Sequence, residues 1–474
     1  MNIISLQEIA QHNRRDDIWI ILHGKVYDLT KFLPNHPGGQ DIIMKYAGKD
    51  GTAAFEPIHS LDIVEQFLPS DVCVGEAEVS AAADNEARLL ETEEDKRVRL
   101  ARENMPRIEE MYNAFDFQSV AKLVLKENAY SYFSSGSSDD MTLRENHNAY
   151  HRIWFRPRVM VDVSKIDMTT TLLGAKVSMP LYISATSFCK LAHPDGEKEI
   201  VNARVHSDPP QWLQLYINTD RKATRKMIQQ AESKGIQGLF ITVDRAVVGP
   251  RGKSSNDKAL LKQNRDEMSS VVHRERGSDL GTFVDPSMNW SDIAWFRSFT
   301  KMPIILKGIQ RSEDAVLAYK YGCRGIVLSN HGGRQLDFSP SPIEILPEVM
   351  DALKREGCDT KNKFDVYVDG GIRRGSDVFK ALALGARACG IGRPALYALS
   401  CYGDKGVERI LELFQNELQM CMRLMGVSTL AEITADMVDT RNLKNHYVAN
   451  PTDYLAMQTY EKMQPRGNIM SSKL

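Results

Sequence analysis

The stretch from Pro303 to Arg334 reads PIILKGIQRSEDAVLAYKYGCRGIVLSNHGGR. Two short apolar runs, Ile304-Ile305-Leu306 and Ile326-Val327-Leu328, lie on either side of a helix pattern spanning Ser312–Tyr321. A Ser suited to N-capping opens that helix, and Gly322 stands where a left-handed residue closes one. The runs do not alternate apolar with polar, so both faces of each strand are buried. A strand buried on both faces and joined to the next through a helix belongs to a parallel sheet.

The same rhythm extends in both directions. Strand runs are Pro180–Thr186, Gln211–Ile217, Gly238–Asp244, Pro303–Gly308, Gly325–Asn330, Phe364–Gly371 and Ala388–Arg393. A second helix pattern, Ser376–Leu384, likewise starts at a Ser suited to N-capping and stops at Gly385. Number and even spacing predict an α/β TIM (β/α)8-type barrel over residues 105–440 rather than an open sheet. Only seven runs are present. The first two are separated by His193–Pro210, room for one short helix, so the barrel lacks its second strand. Polar residues gather where strands end: Thr242 and Asp244, Lys307, Ser329 and His331, Asp369, Arg393. That is where barrel active sites sit.

Residues 1–77 form a separate α+β pattern. Its strands Trp19–Leu22 and Lys25–Leu29 meet at a tight His23-Gly24 turn. Residues 78–104 are a dense charge mixture with little to bury, read as a partly helical, solvated linker. The tail, 441–474, shows no period and is expected to wrap over a surface. The chain has 474 residues, 42% hydrophobic and 26% charged, with 60 Lys plus Arg against 62 Asp plus Glu. That balance excludes a nucleic-acid binder held by bulk charge. Mean hydropathy is −0.35, and no apolar run is long enough for a membrane span. The seven Cys are scattered and odd in number, which argues against a disulfide framework or structural zinc and for a reducing compartment.

Two constellations carry chemistry. In the first, His36-Pro37-Gly38-Gly39 puts an imidazole on a rigid turn, and Phe55-Glu56-Pro57-Ile58-His59 supplies another. Two imidazoles from opposite sides of a pocket saturate haem iron, which then moves electrons rather than binding O2. The plain alternative is a turn histidine and a surface histidine. In the second, Ser329-Asn330-His331-Gly332-Gly333-Arg334 leaves a strand into a glycine turn and projects a base and a guanidinium. A 2-hydroxy acid needs an Arg to grip its carboxylate and a His to take a proton. Lys307 can stabilise an anionic reduced flavin, and Asp244 can orient His331. Asp369-Gly370-Gly371-Ile372-Arg373 and Gly390-Ile391-Gly392-Arg393 follow the last two strands, the recurring phosphate position of barrels.

With Trp19, Val26-Tyr27-Asp28-Leu29-Thr30 and Ala47-Gly48, the first 77 residues resemble the cytochrome b5 family. That implies haem b held by His36 and His59. The barrel motifs, with Asn146-His147-Asn148-Ala149-Tyr150 and Arg156-Pro157-Arg158, resemble the FMN-dependent 2-hydroxy-acid dehydrogenases and oxidases, glycolate oxidase among them. The two modules in tandem resemble the flavocytochrome b2 family of L-lactate dehydrogenases over nearly the whole chain. The resemblance implies that His331 abstracts the substrate proton and pairs with Asp244. Arg334 and Tyr132 hold the carboxylate, Tyr216 contacts the hydroxyl, and Arg251 is a second, mobile guanidinium. Lys307, Ala185, Thr186, Gln214, Thr242 and Ser329 face FMN, with Asp369, Gly371, Arg373, Gly392 and Arg393 at its phosphate end. Electrons then leave for an acceptor such as cytochrome c or O2, and family barrels are homotetramers.

The sequence departs from that family in several places. Its second strand should lie between Ile183–Thr186 and Gln211–Gln214. Here Glu197–Ala203 runs straight into Arg204–Pro210. Losing a strand opens a closed barrel and leaves an edge. Another segment fills the gap, the barrel is defective and binds little FMN, or the sequence reflects a mis-spliced transcript. Arg245-Ala246 follows Asp244 where the family carries a small residue and Pro, and Ser187 replaces an Ala beside the substrate. Ser472-Lys473-Leu474 at the end is a peroxisomal address. The resemblance suggests the mitochondrial intermembrane space instead, although the start, MNIISLQEIAQHNRRDD, shows no presequence.

Overall fold

A computed structural model describes residues 3–36, 40–55, 64, 68–69, 72–78, 92–203, 210–247, 284–360 and 362–446. His59, Arg251 and Ser472-Lys473-Leu474 lie outside the described residues, as do the Pro37-Gly38-Gly39 turn and the tail beyond 446.

The leading unit is a five-stranded sheet in the order Ile3–Ile4, Cys73–Ala77, Lys25–Asp28, Asp17–Leu22, Asn13–Arg14. His23 (φ 52°) and Gly24 (φ 77°) both take the left-handed conformation that a two-residue hairpin turn demands. Ile18, Ile20, Leu22, Tyr27, Leu29 and Leu33 form its core with Ile43, Ala47 and Val64. Trp19 stacks on His12 with ring centroids 3.6 Å apart, and His12 Nδ1 meets Asp17 Oδ1 at 2.6 Å. The charged stretch that follows contains a helix, Glu93–Glu103, opened by a Thr92/Asp95 capping box and burying no residue fully. Arg97 ties it to the carbonyls of Leu123 and Leu125.

The large unit holds seven parallel strands: β1 (Leu181–Ile183), β2 (Leu213–Leu215), β3 (Leu239–Thr242), β4 (Ile304–Ile309), β5 (Gly325–Leu328), β6 (Asp365–Asp369) and β7 (Ala388–Ile391). Their order is β2-β3-β4-β5-β6-β7-β1. The sheet curls into an incomplete, half-barrel form, so β1 and β2 are its edges and the eighth place is empty among the described residues. Between them, among the described residues, lie a 3-10 turn, Cys189–Leu191, and one short α-helix, Glu197–Asn202, as the sequence spacing requires. Side chains cover part of the opening. Tyr182 of β1 meets Trp212, next to β2, edge-on at 5.8 Å. Trp212 also stacks on Phe240 at 5.0 Å. Leu172, Phe240, Ile305, Val327 and Tyr367 fill the interior with them.

Helices cover the outer face. Two sequence-derived caps shift: Ser312 and Ser376 are inside their helices, and Arg311 and Arg374 take the extended cap positions. Ser312 instead donates to Glu348, and Asp377 reaches back to the amides of Arg373 and Arg374. The glycine stops are as expected, with Gly322 at φ 76° and Gly385 at φ 102°. No helix among the described residues is long and apolar enough to cross a membrane.

Candidate active site at the strand ends

β5 ends at Leu328, and the chain turns through His331, Gly332 and Gly333 at φ 59°, 65° and 77°. Three successive left-handed residues swing the His331 ring back over the sheet. A histidine in this region is uncommon and gathers at functional sites. Its own N–H donates to Ser329 Oγ at 3.1 Å, which fixes the turn. On the ring, Nδ1 lies 3.0 Å from Asp244 Oδ1, and Nε2 lies 3.3 Å from the Tyr216 hydroxyl. The Asp244 side chain is only 2% exposed. Gln335 holds the backbone at and just after it, donating to the carbonyls of Asp244 and Val247.

Burial, then the nearby Lys307 ammonium, holds the His331 imidazole below its usual pKa, against the pull of Asp244. It is therefore neutral near pH 7 and able to accept a proton. Burial alone would raise Asp244, but His331 and Lys307 more than offset this and keep it an ionised carboxylate. Lys307 stays charged: burial opposes the charge, while Asp369 and Asp244 together raise its pKa. Its Nζ sits 3.1 Å from Ser329 Oγ and 3.6 Å from Asp369 Oδ2.

Arg334 and Tyr132 arrive preassembled. Arg334 Nη1 donates to the Tyr132 carbonyl at 2.6 Å, and its guanidinium lies 4.7 Å over the Tyr132 ring. Beyond β6 and β7, Arg393 donates to the carbonyls of Phe133, Ser135 and Gly332, and Arg373 to Gln118. Gly371 (φ 83°) can carry no side chain, because a Cβ there would fall 1.9 Å from the Asn146 carbonyl.

One cleft collects most of the residues singled out in the sequence. Tyr132, Ala185, Thr186, Tyr216, Lys307, His331, Arg334, Asp369, Gly371, Arg373, Gly392 and Arg393 all line it. Asp244 stands behind His331. Gln214, Thr242 and Ser329 stand outside the lining, with Gln214 Nε2 donating to Thr242 Oγ1 at 2.5 Å. Sequence reading missed a buried amide pair: Asn146 and Asn330 donate to each other at 2.8 and 2.7 Å. It also missed Asp337, whose carboxylate accepts the amides of Asp139, Met141 and Thr142. Asn146 and Asn330 stand inside motifs quoted above and Asp337 just beyond one, but each pairing joins residues far apart in the chain, so the motifs do not show the contact.

The donor set fits a flavin mononucleotide. A buried cation lies beside the cleft, glycine backbone and two arginines stand at one end, and Asp369 Oδ1 is buried without a partner among the described residues. In the leading unit, His36 closes the Leu33–Asn35 turn, half-buried with Phe32 edge-on at 5.8 Å. An imidazole there suits haem iron.

Fold and site together define a flavin-dependent oxidoreductase of 2-hydroxy acids with a haem unit attached. Residues 121–208 and 198–440 match the FMN-dependent dehydrogenase family, and residues 5–78 match the cytochrome b5-like heme/steroid binding domain. The chain belongs to the FMN-dependent dehydrogenase family, and its cofactors are FMN and haem. The family match divides at residues 198–208, where the second strand is missing. The chain is 45% identical over 481 residues to the L-lactate dehydrogenase (cytochrome) of Wickerhamomyces anomalus, covering 96% of this chain and 83% of that one. It is 43% identical over 497 residues to the Saccharomyces cerevisiae enzyme of the same name, covering 97% and 83%. The solved flavin-binding domain of baker's yeast flavocytochrome b2 superposes with a TM-score of 0.69 at 41% identity, over 80% of this chain and all of that one.

Proposed function

We propose that the chain oxidises an L-2-hydroxy acid, L-lactate foremost, to the 2-oxo acid. The observation that carries this reading is the His331 ring, held by Asp244 on Nδ1 with Nε2 beside the Tyr216 hydroxyl. Arg334 and Tyr132 grip the substrate carboxylate. Tyr216 orients its hydroxyl. His331 Nε2 removes the substrate proton, and Asp244 stabilises the imidazolium that results. Arg251 assists as a second guanidinium. Ala185, Thr186, Gln214, Thr242, Ser329 and Lys307 would hold the flavin ring and ribityl chain. Asp369, Gly371, Arg373, Gly392 and Arg393 would hold its phosphate end, and His36 and His59 the haem. When bound, FMN takes up the substrate's two electrons and haem provides a one-electron outlet.

Residues 1–77 act as the haem domain, 78–104 as linker, 105–440 as the hydroxy-acid domain and 441–474 as tail. We further propose cytochrome c as acceptor and a homotetrameric assembly, both by resemblance. Ser472-Lys473-Leu474 supports a peroxisomal address, and the family resemblance supports the mitochondrial intermembrane space. Import of a fluorescent fusion with and without the tripeptide separates these two.

The test of the reaction is an anaerobic absorbance spectrum of the purified protein before and after L-lactate. Bleaching of the flavin band with reduction of the haem bands is expected. The open edge beside β1 favours one second reading, a decayed barrel that serves only as a haem protein. Haem bands with no flavin and no response to L-lactate would establish that reading, and peroxide release in air would mark an oxidase.

A further inference from the structure

Arg245 follows Asp244 directly and lines the same cleft as His331 and Arg334. Its guanidinium lies over the Tyr216 ring, 4.8 Å from the centroid. Its Nε is buried and has no hydrogen-bond partner among the described residues. The cleft's other cations are engaged: Lys307 with Asp369 and Ser329, Arg334 and Arg393 with backbone carbonyls, and Arg373 with Gln118. A buried guanidinium N–H without an acceptor is costly unless a ligand supplies one. The planar guanidinium fork matches a carboxylate. The reacting carboxylate of a monocarboxylic hydroxy acid is already served by Arg334 from the Tyr132 side, with Arg251 assigned to assist it. Arg245 stands against a different ring, that of Tyr216, whose hydroxyl faces the base.

We propose that Arg245 binds a second carboxylate on the substrate's side chain, so that this cleft takes 2-hydroxydicarboxylates in addition to L-lactate. The proposal deepens the reading of the site as a 2-hydroxy-acid oxidoreductase and rests on it. The second carboxylate takes no part in the chemistry. It anchors the side chain, and Tyr216 touches both that anchor and the base.

The test measures kcat/KM of the holoenzyme for L-malate and L-lactate with ferricyanide as acceptor, in the wild type, Arg245→Met and Arg245→Lys. In Arg245→Met the malate-to-lactate ratio should fall about tenfold or more, mainly through the KM for malate, and Arg245→Lys should recover part of it. A ratio that stays within about threefold in Arg245→Met overturns the assignment of Arg245 while leaving the parent reading intact. A wild type that oxidises neither acid overturns both. A measurement on the wild type alone guards against variants that do not fold: D-malate should inhibit L-lactate oxidation at about tenfold lower concentration than D-lactate. Equal or weaker inhibition by D-malate overturns the proposal.

Discussion

His331 is held by two opposed influences whose signs can be separated by mutation. Burial and Lys307 lower its pKa, and Asp244 raises it. The neutral imidazole is the working base, so the acid limb of kcat/KM for L-lactate falls below the ordinary histidine value of 6.5, and activity is lost as pH drops through it. Asp244→Asn removes the raising influence while leaving the shape. The limb should move to lower pH, and the plateau should fall by about 10²–10⁴-fold, because the imidazolium loses its counter-charge. A pH–rate profile of the wild type and Asp244→Asn checks both signs. A limb that moves upward would mean that Asp244 is not what faces the imidazole in solution.

The Met141–His151 helix shows how elements far apart in the chain set the site. Asp140 opens it at φ 59° with no side-chain cap of its own. The Asp337 carboxylate, three residues beyond Arg334, accepts three amides at the helix start instead. Asp337→Ala should cost about 1–2 kcal/mol, read as a lower Tm at neutral pH. Burial would raise the Asp337 pKa, but the amide bonds more than offset this and hold it below its ordinary value. Its contribution is therefore present above the unfolded carboxyl pKa of about 3.9 and is lost as pH falls through the lower folded value. The Tm gap between wild type and variant should close in acid, and a gap that persists there would show that the loss is one of packing. Asp337 also marks the limit of what the sequence made legible. Strand ends could be read because several strands carry a chemical residue near, at or just past their C-terminal end, as Lys307, Asp369 and His331 show. The Asn146–Asn330 pair and the Asp337 cap could not, because each partner looks ordinary until the fold joins them. The two serine caps failed for a smaller reason: an extended arginine precedes each helix and takes the cap position.

For the whole molecule, the missing strand and the leading unit pose one question, whether the flavin site and the haem site work as parts of one path. The open side of the sheet is bridged by Tyr182 and Trp212, and Trp212 stacks on Phe240 inside the curl. If that aromatic layer replaces strand pairing, Trp212→Ala should cost about 2–4 kcal/mol and release FMN at lower urea than the wild type, followed by flavin fluorescence. Unchanged release would mean that the edge is held elsewhere. The leading unit has its own core and its own sheet, so its loss of function should be separable from that of the half-barrel. His36→Ala removes an imidazole that no other described residue of that turn replaces, and the haem Soret band should disappear. Flavin bleaching by L-lactate should persist, since no residue assigned to the hydroxy acid lies in that unit. Reduction of cytochrome c should fall by about 10²-fold or more, because the one-electron outlet is gone. Cytochrome c reduction that survives without haem would instead place the electron exit at the flavin cleft.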